Sequence, residues 1–144
     1  MFSLQVRSEL RPTEDLVRVL RSIQNLFDIE HYDVVDSPPY KEVICESRRV
    51  ESLIKFHRVL RQDRILDTAR KVMLSSRSGN MILLKLHKQS AYAGHVSFVT
   101  YDSESPLGPI KVIITSDNLE SIIDWLAPRT SRGRPLWEHS VPRI

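Results

Sequence analysis

A set of arginines in the middle of the chain has the chemistry to neutralise the phosphates of a nucleic acid. Arg58, Arg61, Arg64 and Arg70 stand among apolar residues that recur at helical spacing, and all four fall outside that apolar stripe. Two basic helices would therefore present several cations at once, which is the arrangement that binds several phosphates. We call these four arginines the helical basic face and expect each of them to contact phosphate. The structural alternative is that Arg64 or Arg70 pairs with Asp63 or Asp67 and holds the two helices together.

Polar and cationic residues also gather where the most apolar stretch of the sequence ends. The members of this strand-end cluster are Lys85, His87, Lys88 and Gln89, at and just beyond a predicted strand over residues 81–86. We expect the two lysines to contact phosphates, and His87 and Gln89 to contact bases or riboses. A capping role at a helix start is the structural alternative for His87.

The charge of the chain is sorted by position. Residues 48–88 carry 11 Lys/Arg and 3 Asp/Glu, a net charge of +8, whereas residues 1–47 and 89–126 each carry −4. Residues 127–144 carry +3, so the whole chain carries only +3. A basic segment favours a polyanionic partner, most commonly RNA or DNA. The alternative is a fold that interleaves the segments, so that neighbouring charges cancel.

No recognisable motif for catalysis or metal binding is present. The five histidines lack the short ligand spacing of a metal site, and no GxSxG motif occurs. The four glycines are too scattered for a phosphate-binding loop, and Cys45 is the only cysteine. We therefore expect no catalysis, no metal and no cofactor. An alternative is an enzyme for a small phosphorylated metabolite, with Lys88 and nearby arginines in the anion site.

Composition indicates a single soluble domain in a reducing compartment. The chain has 144 residues, of which 41% are hydrophobic and 27% charged, as is usual for a globular protein. Its first residues lack the apolar run of a signal peptide, and no stretch approaches the length of a membrane span. We expect a cytoplasmic protein without membrane contact.

The hydrophobic pattern predicts about six strands and four helices. The predicted strands cover residues 2–9, 32–35, 43–45, 81–86, 96–101 and 110–115. The predicted helices cover residues 13–27, 50–60, 63–76 and 118–126. Thr13, Asp63 and Asp117 are the residues expected to cap helices.

Residues 128–144 form a tail in the predicted organisation, and residues 1–127 form the single domain. The tail contains three prolines, one glycine and four arginines without periodicity, which predicts an extended or disordered segment when it is free. Trp137 would attach it either to the domain or to a partner.

Five short strings occur together in an order and spacing that match a known family. They are Arg11-Pro12-Thr13-Glu14-Asp15, Arg64-Ile65-Leu66-Asp67-Thr68-Ala69-Arg70, Leu86-His87-Lys88-Gln89-Ser90-Ala91, Pro106-Leu107-Gly108-Pro109-Ile110 and Asp124-Trp125-Leu126-Ala127-Pro128-Arg129. Over residues 2–130 the chain resembles a small archaeal family of uncharacterised proteins that are described as RNA-binding or exosome-associated.

The resemblance implies an α+β domain with a mostly antiparallel sheet of about five to six strands and about four helices packed on one side. The implied fold is similar to that of the ribosomal protein that binds 5S ribosomal RNA. The resemblance also adds Arg129, from the last string, to the expected phosphate contacts. His87 and Ser90 depart from the family, in which Asn and Ala are expected at these two positions.

Besides the enzyme, two better-supported interpretations of function remain open at this point. In the first, the chain is an RNA-binding protein without catalysis that uses the helical basic face and the strand-end cluster. In the second, it is an adaptor between proteins, either a homodimer or part of a complex, whose basic face meets an acidic partner. Affinity for RNA across a salt series separates the two readings.

Overall fold

Alternating apolar and polar residues at the start of the chain build the central strand of an antiparallel sheet. The computed structural model describes residues 1–143. Its main strands are β1 (Phe2–Leu10), β2 (His31–Ser37), β3 (Tyr40–Ser47), β4 (Met81–Leu86) and β5 (Ile110–Ser116). They lie in the order β2–β3–β1–β5–β4, and every neighbouring pair is antiparallel.

Apolar residues at helical spacing form the helices between these strands. The helices are α1 (Leu16–Gln24), α2 (Ile54–Gln62), α3 (Leu66–Ser76), α4 (Lys88–Tyr92) and α5 (Leu119–Leu126). Short 3-10 helices cover Val50–Leu53 and Asp102–Glu104. Within residues 1–143, none of the helices has both the length and the apolar character needed to cross a membrane.

The hydrophobic core lies between one face of the sheet and the helices. Val6 pairs with Cys45 on one side and with Val112 on the other, and all three side chains are buried. Phe27 and Phe56 stack within the core with their ring centroids 5.1 Å apart. Each buried large apolar side chain contributes roughly 1.5–3 kcal/mol. The predicted α+β architecture, an antiparallel sheet with helices on one side, is confirmed.

One predicted strand is absent from the main sheet. Residues 96–101 form only an isolated bridge, in which Phe98 pairs with Leu86 and the Val99 N–H donates to the Lys85 carbonyl at 3.0 Å. The prediction of a full strand was wrong because the segment turns away after this bridge into the Asp102–Glu104 helix.

The three predicted helix caps were wrong because α1 begins after Asp15 and because Asp63 and Asp117 bind groups elsewhere. Asp15, and not Thr13, caps α1 by accepting from the Val17 N–H at 3.1 Å. The Asp63 carboxylate instead accepts from the Val96 N–H at 2.9 Å, and α3 begins later, at Leu66. Asp117 pairs with the N-terminal ammonium group at 2.9 Å.

The C-terminal tail folds back on the domain. A two-stranded hairpin joins β6 (Thr130–Ser131) to β7 (Arg134–Pro135), and the Thr130 hydroxyl donates to the Asp67 carboxylate. The Leu136 N–H then donates to the Arg129 carbonyl at 2.8 Å. This arrangement differs from the expected extended or disordered segment for residues 128–143, and Ile144 lies outside the described residues.

Candidate nucleic-acid interface

Ion pairs with the acidic segments occupy most cations of the basic segment. Within residues 1–143, seven of the 11 Lys/Arg of residues 48–88 pair with a carboxylate, and every one of these carboxylates lies outside the segment. The pairs are Arg49–Glu30, Lys55–Asp28, Arg61–Glu138, Arg70–Asp124, Arg77–Glu120, Lys85–Asp102 and Lys88–Glu14. The fold therefore interleaves the segments and cancels much of the +8 charge.

Four cations of the segment have no carboxylate partner among residues 1–143. They are Arg48, Arg58, Arg64 and Lys71, and all four side chains are exposed. Arg58 lies on α2, Arg64 in the turn between α2 and α3, and Lys71 on α3. The Arg64 backbone is left-handed, with φ of 54°. Two members of the helical basic face, Arg58 and Arg64, are therefore available to an external anion.

Arg61 is held entirely by the protein. Its Nε and Nη2 donate to the two carboxylate oxygens of Glu138 at 2.8 and 2.6 Å. Its remaining N–H groups donate to the carbonyls of His57 at 2.9 Å, Leu126 at 3.0 Å and Trp125 at 3.2 Å. A guanidinium has five N–H donors, so none is left for a phosphate. Arg61 joins α2, the C-terminal end of α5 and the tail.

Arg70 has a similar structural role between α3 and α5. Its Nη1 donates to the Asp124 carboxylate at 2.9 Å and to the Ala127 carbonyl at 3.1 Å. The side chain is only 18% exposed. Arg129, by contrast, is exposed just beyond the end of α5. Both arginines line the same cavity, which also receives residues of the tail.

Lys88 lies in a buried cage at the end of β4. Its ammonium group donates to the Leu107 carbonyl at 2.8 Å, the Glu9 carbonyl at 2.9 Å and the Glu14 carboxylate at 3.1 Å. Burial lowers the pKa of Lys88, and the charge of Glu14 opposes that shift. Gly108 holds the adjoining turn at φ of 84°, which favours glycine. Three partners satisfy the three protons of the ammonium group, so Lys88 fixes this end of the sheet from within.

The other members of the strand-end cluster divide in the same way. The Nζ of Lys85 pairs with the Asp102 carboxylate at 2.8 Å. His87 caps α4, since its Nδ1 accepts from the Ser90 N–H at 3.2 Å. Gln89 is exposed and lines a cavity of about 440 Å³ beside α1. Gln89 is therefore the most exposed member of this cluster, while Lys85 and His87 are partly exposed and Lys88 is buried.

Cations also cross the face of the sheet that the helices leave open. The register places Lys111 of β5 beside Arg7 of β1 and Lys85 of β4. Asp102 lies 2.8 Å from Lys85 and 3.7 Å from Lys111, and the hydrogen bond from Lys85 lowers the pKa of its carboxyl group. Arg7 pairs with Glu42. Two carboxylates therefore offset most of the charge of these three cations, with Asp102 shared between Lys85 and Lys111.

The tail, α3 and α5 enclose a cavity of about 450 Å³. Cationic and aromatic side chains line much of it: Arg70, Arg77, Arg129, Trp137 and His139. Arg77 and His139 were not predicted from the sequence. Arg77 follows Arg70 by seven residues, about two helical turns, and is the C-cap residue of α3, a signal that sequence reasoning could have used. His139 lines the cavity only because the tail folds back on the domain, and no local sequence pattern predicts this folding back.

A half-buried histidine, His57, lies beside the Arg61–Glu138 pair. The His57 ring stacks on Trp125 with centroids 4.9 Å apart and an interplanar angle of 22°. Its Nε2 is buried without a hydrogen-bond partner among residues 1–143. Burial, with a smaller effect of the Arg61 charge, lowers the pKa of His57 to about 4. His57 is therefore neutral at pH 7 and contributes packing to the base of the tail.

Two further features bear on chemistry at this surface. Within the described residues 1–143, no three His, Cys, Asp or Glu side chains are grouped so as to hold a metal ion. Cys45 is buried in the core, and burial raises the pKa of its thiol to about 12. A thiol with so high a pKa stays protonated at neutral pH and is a poor nucleophile.

Comparisons with known proteins give the chain relatives along its whole length. A family model with the description RNA binding matches residues 3–116. A UPF0201 protein of Saccharolobus islandicus is 46% identical over 142 residues, which cover 99% of this chain and 98% of the relative. The matched part of the family model ends at the last residue of β5, so α5 and the tail lie beyond it.

Solved structures of similar sequence share the fold. The crystal structure of a UPF0201 protein from Methanococcus jannaschii has a TM-score of 0.82 and 28% sequence identity, and the match covers 93% of this chain and 98% of that one. The crystal structure of a second UPF0201 protein has a TM-score of 0.74 and 32% identity, with 93% and 99% of the two chains covered.

Proposed function

The chain belongs to the archaeal UPF0201 family, and on that premise we propose that it is an RNA-binding protein that holds phosphates on its helical face. The direct phosphate contacts are Arg58 and Arg64 of the helical basic face, together with Arg129. Gln89 contributes a contact to a base or ribose at the other end of the chain's basic segment. We propose that the protein acts by binding alone, without catalysis, and that it is located in the cytoplasm.

One observation carries the proposal: exposed cations without a carboxylate partner remain on the helices after the fold has paired the others. Arg58, Arg64 and Lys71 are exposed and unpaired among residues 1–143, whereas each of the cations Arg7, Lys85 and Lys111 on the open sheet face lies within 4 Å of a carboxylate. Phosphate binding depends on cations that can exchange counterions for phosphates. The helices therefore support RNA binding better than the open face of the sheet does.

Within this proposal Arg61, Arg70, Lys85, His87 and Lys88 position the surface and do not touch RNA. Arg61 and Lys88 have all their N–H donors bound within the protein, and Arg70, Lys85 and His87 each already bind at least one group of the protein. Replacing any of them would alter the fold locally and so weaken binding indirectly. A loss of affinity in such a variant would not identify a contact, so the contacts have to be tested at Arg58, Arg64 and Arg129.

Fluorescence anisotropy with a single-stranded and a duplex RNA probe across a salt series tests the proposal. We expect log K to fall linearly with log salt, with a slope of roughly −0.7 for each phosphate contact on a single strand. Binding weaker than roughly 10⁻⁴ M at physiological salt, the weak limit of non-specific association, would overturn the proposal.

Self-assembly is a second candidate, and the edge strand β2 favours it. Tyr32, Val34 and Val35 of β2 are 48%, 39% and 38% exposed, and an edge strand presents unpaired backbone groups to a further strand. The adaptor reading would then rest on a homodimer joined at β2. Light scattering tests it: a dimer that Val34→Lys converts to a monomer supports assembly, and a monomeric wild-type protein rules it out.

A further inference from the structure

Trp137 is exposed although the residues on both sides of it are fixed. The Leu136 N–H donates to the Arg129 carbonyl at 2.8 Å, and the Glu138 carboxylate binds Arg61 through two hydrogen bonds of 2.6 and 2.8 Å. The Trp137 side chain nevertheless stays 70% exposed. The tail is therefore attached through Glu138 and not through its large aromatic ring, which stays open to solvent on a fixed backbone.

Cavities lie on two sides of Trp137. The cavity of about 450 Å³ between α3, α5 and the tail is lined by Arg70, Arg77 and Arg129. A second cavity of about 320 Å³ is lined by Asn118, Ser121 and Arg143. Trp137, His139 and Asp124 line both cavities, so the indole stands between a cationic recess and one that carries amide and hydroxyl groups.

The charges of these recesses favour an anionic occupant. Two carboxylates of the first cavity are already occupied, since Asp124 binds Arg70 at 2.9 Å and Glu120 lies 3.5 Å from Arg77. Arg129 and Arg143 have no carboxylate partner among residues 1–143 and are exposed. An anion that enters the groove therefore meets the unpaired guanidinium groups of Arg129 and Arg143. The carboxylates of the groove, Asp124 and Glu120, already pair with Arg70 and Arg77.

We infer that this groove binds single-stranded RNA, with an unpaired base stacked on Trp137 and the adjoining phosphates on Arg129 and Arg143. Proteins that hold single strands combine aromatic stacking platforms with a cationic groove, and the amide and hydroxyl groups of Asn118 and Ser121 can bond base edges. The inference rests on the proposed function and extends it to a surface beyond residues 3–116, where the family model does not reach.

Unpaired bases are the occupant that this geometry distinguishes from duplex RNA. In a duplex the bases stack on one another, and no base face is free for an indole. The groove should therefore bind a single strand and leave duplex affinity to the phosphate contacts of the helices. An apolar peptide would use Trp137 and the exposed Leu136 but would gain nothing from Arg129 and Arg143.

Substitution of Trp137 tests the inference. We expect Trp137→Ala to weaken binding of a single-stranded oligouridine roughly 5- to 150-fold, the range for loss of one base–aromatic stack, and to leave duplex binding unchanged. Trp137→Phe keeps a ring and should lose less. Tyr101→Ala is the matched control, since Tyr101 is also 70% exposed and does not line either cavity. Circular dichroism and thermal unfolding verify that each variant folds.

Indole fluorescence gives an independent reading of the same contact. Trp125 is the other tryptophan and is only 2% exposed, so quenching by RNA should come from Trp137. We expect oligouridine to quench the emission of the wild-type protein and to leave the emission of Trp137→Phe unchanged. Such quenching would indicate a base stacked on Trp137, because phosphate contacts alone should not quench the indole emission.

The outcomes separate the inference from the proposed function. If the wild-type protein binds neither probe, the proposed function fails and the inference falls with it. If RNA binds and Trp137→Ala has the affinity of the wild type, the inference is wrong and the proposed function stands. If Trp137→Ala abolishes self-association and leaves RNA affinity unchanged, the groove is a protein interface, and the inference is again wrong.

Discussion

Arg61 and Glu138 lie 77 positions apart in the chain and form the bidentate ion pair that fixes the C-terminal tail to the helices. Two parallel N–H···O bonds between a guanidinium and a carboxylate set direction as well as attraction. The same Arg61 binds the last carbonyls of α5. One side chain thus fixes the end of α5 and the position of Trp137.

Glu138→Gln should release the tail. The amide keeps the shape of the side chain but removes its charge and replaces one acceptor with a donor that faces the guanidinium. We expect trypsin to cleave after Arg132 faster than in the wild type, while global stability falls by no more than about 1 kcal/mol because the pair is partly exposed. Glu120→Gln, which alters a looser pair with Arg77, is the control. Equal cleavage of both variants would contradict the role of Glu138.

The attachment of the tail should also depend on pH. Hydrogen bonds from Arg61 hold the pKa of Glu138 below its usual value of 4.5, and the nearby His57 and His139 act in the same direction. A lowered carboxyl pKa stabilises the docked state fully above the usual value, and this stabilisation is lost as pH falls through the lowered one. The indole N–H signal of Trp137 in NMR spectra should therefore shift below pH 4.5, and a signal constant down to pH 3 would count against this.

Reversing the charge of Arg58 and Arg64 together should weaken RNA binding. Both side chains are exposed and lack a carboxylate partner among residues 1–143, so the fold should tolerate the change. The salt slope on a single strand should become less steep by roughly 1.4, that is, roughly 0.7 for each lost contact. The double variant Arg21→Glu with Lys41→Glu makes the same change in charge on exposed residues outside the basic segment and away from the cavity of Gln89. Equal affinities of the two double variants would remove Arg58 and Arg64 from the interface.

Lys88→Met should destabilise the domain. The change leaves the Glu14 carboxylate, whose side chain is only 8% exposed, without its cation. Removing one partner of a buried ion pair typically costs about 3–5 kcal/mol, measurable as a lower midpoint in urea unfolding. Adding Glu14→Gln should recover part of the loss, because the buried charge is then gone. A stable Lys88→Met protein with weak RNA binding would instead make Lys88 a contact residue.

His57→Phe should remove a loss of stability at acidic pH. The unfolded chain binds a proton at His57 near its usual pKa of 6.5, whereas the folded protein does so only near 4. Stability is therefore greatest above pH 6.5 and falls as pH drops from about 6.5 towards 4. Phenylalanine keeps the stacking on Trp125 and does not titrate. Its advantage over the wild type in thermal unfolding should be larger at pH 5 than at pH 8, with the exposed His31→Gln as control.

Sequence patterns predicted the elements of this fold because each pattern reports local geometry. The alternation from Phe2 to Ser8 follows from the two-residue repeat of a strand, and the apolar spacing along α2 and α3 follows from the helical repeat. The ends of two strands were predicted less well. The strands predicted over residues 32–35 and 43–45 are longer in the structure, where β2 and β3 cover His31–Ser37 and Tyr40–Ser47. Exposed β2 lacks the apolar alternation that would have announced its full length.

The candidate site could be predicted only in part, because the sequence shows which residues are charged but does not show which charged residues pair with one another. Arg58 and Arg61 look equivalent in the sequence, three positions apart on one helix. Folding leaves Arg58 exposed and gives Arg61 five hydrogen bonds, two of them to a carboxylate 77 positions away. Lys88 likewise meets Glu14 from 74 positions away. No local repeat relates residues at such distances.

By itself, then, the sequence determined the class of fold, the helices and strands, the family and the sign of the charge, because local spacing and composition govern these. The tertiary structure alone decided which cations form ion pairs with carboxylates of the protein and which remain available to a binding partner. It also decided that Glu138 holds the tail and leaves Trp137 exposed. The reason is physical: ion pairs and burial depend on distances between chain segments, and those distances exist only after the chain has folded.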